Sequence, residues 1–184
     1  MDIIKTKIKT RLTKNQMTTT NSSRIKVQKR DGRLEPLDIN KIHFVVEEAC
    51  EDLPGVSASQ IEMNANIQFY DGMTTKDIQN VLVRSANDLI TLENPNYQYA
   101  AARLLSYDVR KEAHGQYEYI PLLKLVLRNI RLGVYDKGIV EKYSKTELKK
   151  LNTWIKRDRD LNFTYSGLRQ VVDKYLVQDR SSGQ

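Results

Sequence analysis

The sequence predicts a mainly α-helical protein with one small β-hairpin near its N-terminal end. Apolar residues recur at helical spacing over most of the 184 residues, and helix-start residues precede these segments. A single short segment instead alternates apolar and polar residues and runs into Asp31-Gly32. The hydrophobic content of 40% is enough for a core, and no apolar run has the length of a transmembrane helix.

The predicted hairpin occupies the first ordered part of the chain. Residues 25–29 alternate apolar and polar side chains, as expected for a half-buried strand. Asp31-Gly32 favours a tight turn because glycine tolerates positive φ. We therefore predict that residues 33–37 form the return strand.

Two helices are predicted to follow the hairpin. Asp38 is a good N-cap, and the apolar residues after it keep helical spacing as far as Leu53. Ser57 and Gln60 have the spacing of a capping box. They predict a second helix that ends near Tyr70.

The next two helices complete the first predicted unit. Thr74 with Asp77 predicts a capped third helix. Its predicted apolar face consists of Ile78, Val81, Leu82, Ser85, Ala86 and Leu89. Asn94-Pro95 predicts the N-cap and first residue of a fourth helix, which should stop at Gly115. Residues 24–115 are thus predicted to be a hairpin on four helices.

The remaining residues, 116–184, are predicted to form a helical segment. The expected helices span residues 122–132, a stretch opened by Ser144 and containing Trp154, and residues 166–177. Gly133 is predicted to stop the first of them, and Ser144 with Glu147 to cap the second.

Net charge bears on the choice between function classes. The formal charge is +7, but residues 1–24 account for +5 and the other 160 residues for only +2. We expect residues 1–23 to be a disordered basic leader, since they contain few large apolar residues. The basicity is therefore not the domain-wide pattern of a nucleic-acid-binding protein.

Cys50 is the single cysteine of the sequence. One cysteine cannot form an internal disulfide or a cysteine-rich zinc site. We expect a buried structural thiol within the first helix.

Several basic residues indicate an anion-binding site. Lys29 and Arg30 lie at the tip of the predicted hairpin and could bond to phosphates, although such a turn is also common on ordinary surfaces. Lys41 lies one turn into the first helix, and Thr75 begins the third, where the helix dipole favours anions. Basic residues at the end of the fourth helix, including Lys111, could join them or simply complement that helix's dipole.

These residues occur in blocks that resemble the ATP-cone, a regulatory domain of ribonucleotide reductase large subunits. The blocks are residues 27–42, 67–78 and 96–115. Residues 135–180 resemble the helical segment that precedes the catalytic barrel of class I large subunits. The resemblance extends over about residues 25–184.

The resemblance implies an allosteric site at which ATP keeps the reductase active and dATP, also bound with Mg²⁺, inhibits it. The implied nucleotide-binding residues are Lys29, Arg30, Glu35, Pro36, Leu37, Asp38, Ile39, Asn40, Lys41, Ile42, Thr75 and Lys111. Lys29, Arg30, Lys41, Thr75 and Lys111 would hold the triphosphate. Glu35 would accept a hydrogen bond from the adenine amino group, and Ile42 would pack on the base or sugar.

Two positions differ from the family pattern. Asp38 stands where asparagine is common, and Gln79 where histidine is common. A carboxylate near phosphates is unfavourable unless it only caps the helix.

The resemblance also implies what this chain needs in order to act. Reduction of ribonucleotides for DNA replication requires a thiyl-forming cysteine and a redox cysteine pair, which Cys50 alone does not supply. The implied partners are a polypeptide carrying the catalytic barrel, a radical-generating small subunit, and further copies of the chain through the cone. A cytoplasmic protein without a membrane or metal site is expected.

Two other function classes share features with this sequence. Cone-containing repressors of reductase genes carry a four-cysteine zinc ribbon before the cone, whereas no cysteine precedes Cys50 here. A helical nucleic-acid-binding protein would use residues 1–23 as a basic arm, and its binding would depend on salt.

Overall fold

A computed structural model describes residues 25–176 of the chain. Its strands are β1 (Lys26–Gln28), β2 (Leu34–Pro36) and β3 (Met73–Thr74). The helices are α1 (Ile39–Cys50), α2 (Ala58–Asn66), α3 (Thr75–Asn87), α4 (Tyr97–His114), α5 (Leu122–Arg131), α6 (Gly138–Lys142), α7 (Lys145–Trp154) and α8 (Tyr165–Lys174), with a 3-10 helix at Arg157–Asn162. The mainly helical class is confirmed. The leader predicted at residues 1–23 lies outside the described residues. The predicted end of the last helix at Val177 is wrong, since α8 ends at Lys174.

The three strands form one small sheet with the order β2-β1-β3. β1 and β2 make the predicted antiparallel hairpin, in which Gly32 adopts φ +83° and its N–H donates to the Lys29 carbonyl. β3 is parallel to β1, with Val27 opposite Met73. The sequence does not predict β3, because two residues are too short for an alternating pattern.

α1 begins as predicted but ends early. The Asp38 side chain accepts hydrogen bonds from the N–H groups of Asn40 and Lys41, at 3.1 and 3.3 Å. The predicted end at Leu53 is wrong, since the helix ends at Cys50. Asp52 takes a left-handed conformation with φ +60°, which turns the chain out of the helix.

α2 ends at Asn66, and the predicted end near Tyr70 is also wrong. The chain leaves the helix to reach the sheet, where the Gly72 N–H donates to the Lys26 carbonyl at 2.8 Å. The Lys26 N–H in turn donates to the Asp71 carboxylate at 2.8 Å. These bonds to β1 outweigh the local helical pattern.

The predicted capping box of α2 is half formed. The Ser57 hydroxyl oxygen accepts from the Gln60 N–H at 3.4 Å, as expected. The reciprocal bond is replaced by a buried tyrosine: the Tyr97 hydroxyl accepts from the Ser57 N–H and donates to the Gln60 side chain, at 3.0 and 2.5 Å. Tyr97 thereby joins the start of α2 to the start of α4.

The beginning of α4 differs from the prediction. Asn96, not Asn94, occupies the N-cap, and its side chain donates to the Pro54 carbonyl at 2.8 Å. Asn94 instead bonds to Thr91 within the preceding loop. The end is as predicted, since Gly115 adopts φ +69° and closes the helix.

The core lies between the sheet and α1–α4. The predicted apolar face of α3 is buried, apart from a partly exposed Leu89. The largest fully buried side chains are Tyr97, Ile61, Leu82, Leu104, Val46 and Ser85. Cys50 packs partly buried at the margin of this core, and burial raises the pKa of its thiol to about 11. α4 contacts α1, α3 and α8, so it is the central helix.

The segment after α4 is helical, as predicted. α5 packs on α7, while the 3-10 helix and α8 pack on α4. Gly133 ends α5 with φ +73°, and Ser144 with Glu147 forms a complete capping box. No helix within residues 25–176 is long and apolar enough to cross a membrane.

Candidate functional site

Basic side chains from three elements converge at one end of the four-helix unit. Lys29 and Arg30 come from the hairpin, Lys41 from α1 and Lys111 from α4. Partial desolvation lowers the pKa of Lys111, and the charges of Arg30, Lys29 and Lys41 lower it further. The charges of Lys29, Arg30 and Lys41 therefore all reach Lys111, which is an arrangement suited to an anion.

Three of these cations are paired with carboxylates. Lys29 Nζ lies 3.3 Å from Glu35 Oε2 across the hairpin. Lys41 Nζ lies 3.4 Å from Asp38 Oδ2. Arg30 pairs with Asp108 of α4. Binding of a larger anion at this end would replace such pairs with charge-assisted bonds to the ligand.

Glu35 is the half-buried carboxylate of the hairpin. It stands opposite Val27 in the register of β1 and β2, so the two side chains share the face that turns toward the helices. Arg33 also approaches Glu35, with NH1 3.5 Å from Oε1. Glu35 is thus an acceptor held between Lys29 and Arg33.

The start of α3 lies beside the same cations. Thr75 is the first residue of α3, and Thr74 caps the helix by accepting from the Asp77 N–H at 3.0 Å. Lys76 Nζ bonds to Glu112 of α4 at 2.6 Å, which raises the pKa of Lys76. The positive end of the α3 dipole therefore faces the end of α4 that carries Lys111.

The chain from Glu35 to Ile42 is only partly available to a ligand. Leu37 is buried in the core, and Ile42 packs against that core. Pro36, Asp38, Ile39, Asn40 and Lys41 are exposed. The Asp38 carboxylate caps α1 by accepting hydrogen bonds from backbone N–H groups. A carboxylate bonded in this way is less unfavourable near phosphates than a free one.

Gln79, the second residue that differs from the family pattern, is used structurally. Its side-chain amide donates to the Leu104 carbonyl at 2.8 Å. This bond joins α3 to α4.

The basic residues at the end of α4 point in different directions. The Arg110 guanidinium stacks against Tyr107, Tyr117 and Tyr119. His114 packs edge-on against Tyr119. Lys111 is therefore the residue of this basic group that faces the hairpin cations.

Asp108 is a site residue that the sequence reasoning missed. Its carboxylate Oδ1 lies 3.1 Å from Arg30 NH2, and its side chain is 11% exposed. Burial raises the pKa of Asp108, as does Glu112, whereas Arg30, Lys76 and Lys111 oppose the shift. The feature of the sequence that could have identified Asp108 is its position one helical turn before Lys111, on the same face of the helix.

Within residues 25–176, no group of three or more His, Cys, Asp or Glu side chains is placed to hold a metal ion.

Comparisons with known proteins show which proteins the chain resembles. Residues 25–112 match the ATP cone domain. The chain is 44% identical over 158 residues to the ribonucleoside-diphosphate reductase 1 subunit alpha of both Salmonella typhimurium and Escherichia coli. It is 41% identical over 162 residues to the subunit alpha of Enterobacteria phage T4.

These matches cover most of this chain but little of the relatives. They include 86% of the chain for the two bacterial proteins and 87% for the phage protein, yet 21% of the length of each relative. The chain therefore spans about a fifth of the relatives it matches. It contains an ATP-cone domain and is similar, over most of its length, to the N-terminal part of ribonucleoside-diphosphate reductase α subunits.

Proposed function

We propose that residues 24–115 bind an adenine nucleotide, ATP or dATP with Mg²⁺, and thereby regulate a ribonucleoside-diphosphate reductase. The observation that carries this proposal is the convergence of Lys29, Arg30, Lys41 and Lys111 from the hairpin, α1 and α4. The match of residues 25–112 to the ATP cone domain supports it.

The triphosphate is proposed to lie between the hairpin, the N-terminal end of α3 and the C-terminal end of α4. Lys29 and Arg30 would bond to it from the hairpin, and Lys111 from α4. Thr75 would place it at the positive end of the α3 dipole. Several cations are required because a triphosphate retains negative charge even when Mg²⁺ is bound.

The base is proposed to lie against the hairpin and the start of α1. Glu35 is a carboxylate and accepts hydrogen bonds without donating any. It would accept from the adenine amino group and would repel the carbonyl oxygen that guanine carries at the same position. Ile39, which is 49% exposed, and Ile42 would contribute apolar contact.

The catalytic part of the reductase is proposed to be supplied by the remainder of an α subunit, on the same or another polypeptide, together with a small subunit. Residues 116–184 are proposed as the docking segment. Their described part exposes Leu132, Val134, Trp154, Ile155, Tyr175 and Leu176. A groove of about 540 Å³ beside α5 and α7 adds a surface lined by leucines, lysines and arginines. A cytoplasmic location and cone-mediated oligomers belong to the same proposal.

Calorimetry of the whole chain with Mg²⁺ and ATP, dATP or GTP tests nucleotide binding. We expect saturable binding of the two adenine nucleotides and much weaker binding of GTP. A Lys29→Ala, Lys111→Ala variant should lose at least about 100-fold in affinity, since each charged hydrogen bond contributes about 1.5–3 kcal/mol. The matched control is Lys137→Ala, Lys145→Ala, which removes two exposed charges from the segment after α4. Absence of binding by the parent chain would reject the proposal.

Two further measurements test the remaining parts. Deletion of residues 1–23 should leave ATP affinity unchanged, whereas a nucleic-acid arm would lose its salt-dependent binding. Trp154→Ala should weaken capture of the remaining part of an α subunit, while Leu92→Ala, at a site 97% exposed within the cone, should not. Equal capture by both variants would contradict the docking segment.

A further inference from the structure

One ion pair joins the tip of the hairpin to the central helix. Arg30 NH2 lies 3.1 Å from Asp108 Oδ1, although the two residues are 78 positions apart in the chain. The Asp108 side chain is 11% exposed and that of Arg30 is 44% exposed. The carboxylate is therefore largely buried in the protein, whereas the guanidinium sits at the surface on an exposed turn.

Asp108 places a negative charge where the basic side chains converge. The charges of Arg30, Lys76 and Lys111 all act on its carboxylate. Glu112, one turn further along α4, is bonded to Lys76 at 2.6 Å. An anion bound near Lys111 would therefore meet the repulsion of Asp108 as well as the attraction of the cations.

We propose that Asp108 is an affinity-determining residue that holds Arg30, and with it the hairpin, against α4. A bound nucleotide displaces Asp108 from Arg30. This inference rests on the proposed function, since it concerns the same nucleotide site. Arg30 exchanges one anionic partner for another when the triphosphate binds. The interaction free energy of the Arg30–Asp108 pair is lost in that exchange. Nucleotide affinity is therefore lower than it would be without the Asp108 carboxylate.

The opposite arrangement makes a different prediction. If Arg30 bonded to Asp108 and to the phosphate together, Asp108 would orient Arg30 for binding. Removal of the carboxylate charge would then weaken binding. The sign of the change in affinity thus distinguishes a competing carboxylate from an orienting one.

The experiment uses the whole chain and two variants, Asp108→Asn and Arg30→Ala. Hydrogen exchange of the Lys29 and Gly32 amides, measured without nucleotide, reports whether the hairpin is held. Calorimetry with ATP and Mg²⁺ reports affinity. The matched control is Asp88→Asn, which removes an exposed carboxylate at the end of α3.

Both variants should exchange the hairpin amides faster than the parent, while the control should not. Their effects on ATP affinity should be opposite: Asp108→Asn should bind about tenfold more tightly, and Arg30→Ala about tenfold more weakly. Arg30 is exposed, so its variant tests the hairpin contact even if Asp108→Asn fails to fold.

Failure of this inference can be told apart from failure of the proposed function. Unchanged hairpin exchange in Arg30→Ala would reject the hairpin contact even if the parent binds ATP. Equal or weaker ATP binding by Asp108→Asn would reject competition. If parent and Asp108→Asn both fail to bind ATP while hairpin exchange still responds, the proposed function is rejected and the affinity role with it.

Discussion

The guanidinium of Arg110 lies 4.3 Å from the centre of the Tyr119 ring. Tyr107 and Tyr117 flank it at 5.0 and 5.1 Å, so residues within and after α4 enclose one cation. The Tyr117 hydroxyl also donates to Glu48 of α1 at 2.6 Å. This aromatic cluster joins α1 and α4 to the segment that follows, directly beside the helix face that carries Lys111.

Arg110→Ala should destabilise the protein by about 2 kcal/mol or more, because it removes three cation–π contacts and buried aliphatic surface. Urea unfolding measures the change. The control is Lys150→Ala, whose ammonium lies 5.9 Å from the exposed Trp154 ring and should cost about 0.5 kcal/mol. Equal destabilisation of the two variants would contradict a structural role for the cluster.

Tyr97→Phe should lower the free energy of unfolding by about 1–3 kcal/mol. The residue is 2% exposed, and loss of its hydroxyl leaves the Ser57 N–H without the acceptor that it has in the parent. Thermal or urea unfolding measures the effect. Tyr70→Phe is the control, since Tyr70 is 58% exposed and its change should be close to zero. A negligible effect at Tyr97 would show that the hydroxyl does not stabilise the start of α2.

Gly32→Ala should weaken ATP binding several-fold and destabilise the chain by about 1–2 kcal/mol. Gly32 has φ +83° with open space around it, so the cost comes from backbone conformation alone. Gly133→Ala is a matched control with φ +73° and similarly open space, located after α5. It should cost as much stability but leave ATP affinity unchanged. Equal ATP affinities of the two variants would show that the hairpin turn does not contribute to nucleotide binding.

His43 should stabilise the protein in mild acid. Its hydrogen bond to Glu62, 2.7 Å long, is the main cause that raises the pKa of the imidazole, and the charge of Glu47 adds to it. A raised pKa gives a contribution that is complete below about pH 6.5 and disappears as pH rises through the folded-state value. The stability difference between parent and His43→Gln should therefore shrink from pH 6 to pH 8. A constant difference in urea unfolding would contradict the pairing.

His114 should have the opposite dependence. Burial lowers its pKa, and the charges of Arg128, Arg157 and Arg110 lower it further. Its contribution is therefore present above about pH 6.5 and is lost as pH falls. The advantage of the parent over His114→Gln should diminish between pH 7.5 and pH 5.5 in the same assay. An advantage that grows in acid would show that the imidazole is readily protonated in the fold.

Features that depend on neighbouring residues could be predicted from the sequence. The hairpin turn at Gly32, the caps Asp38, Thr74 and Ser144, and the stop at Gly115 all depend on bonds or φ preferences within a few residues. Local chemistry of this kind is visible in one short stretch of sequence.

Features made by distant residues could not be predicted in this way. The start of α4 shifts to Tyr97 because Asn96 bonds to Pro54 across 42 positions. β3 exists only because β1 is its neighbour. The pairing of Arg30 with Asp108 requires the completed fold, which is why the sequence indicated the cations of the site but not the carboxylate among them.

The parallel pairing of β3 with β1 has a consequence for the order of folding. The bond from the Lys26 N–H to Asp71 closes a loop of 45 positions, whereas the hairpin closes within a few residues. Closing long loops is slow relative to forming local turns and helices. We therefore expect the proposed nucleotide site to assemble late, after the hairpin and α1. A bound nucleotide should consequently slow the unfolding rate and leave the folding rate nearly unchanged.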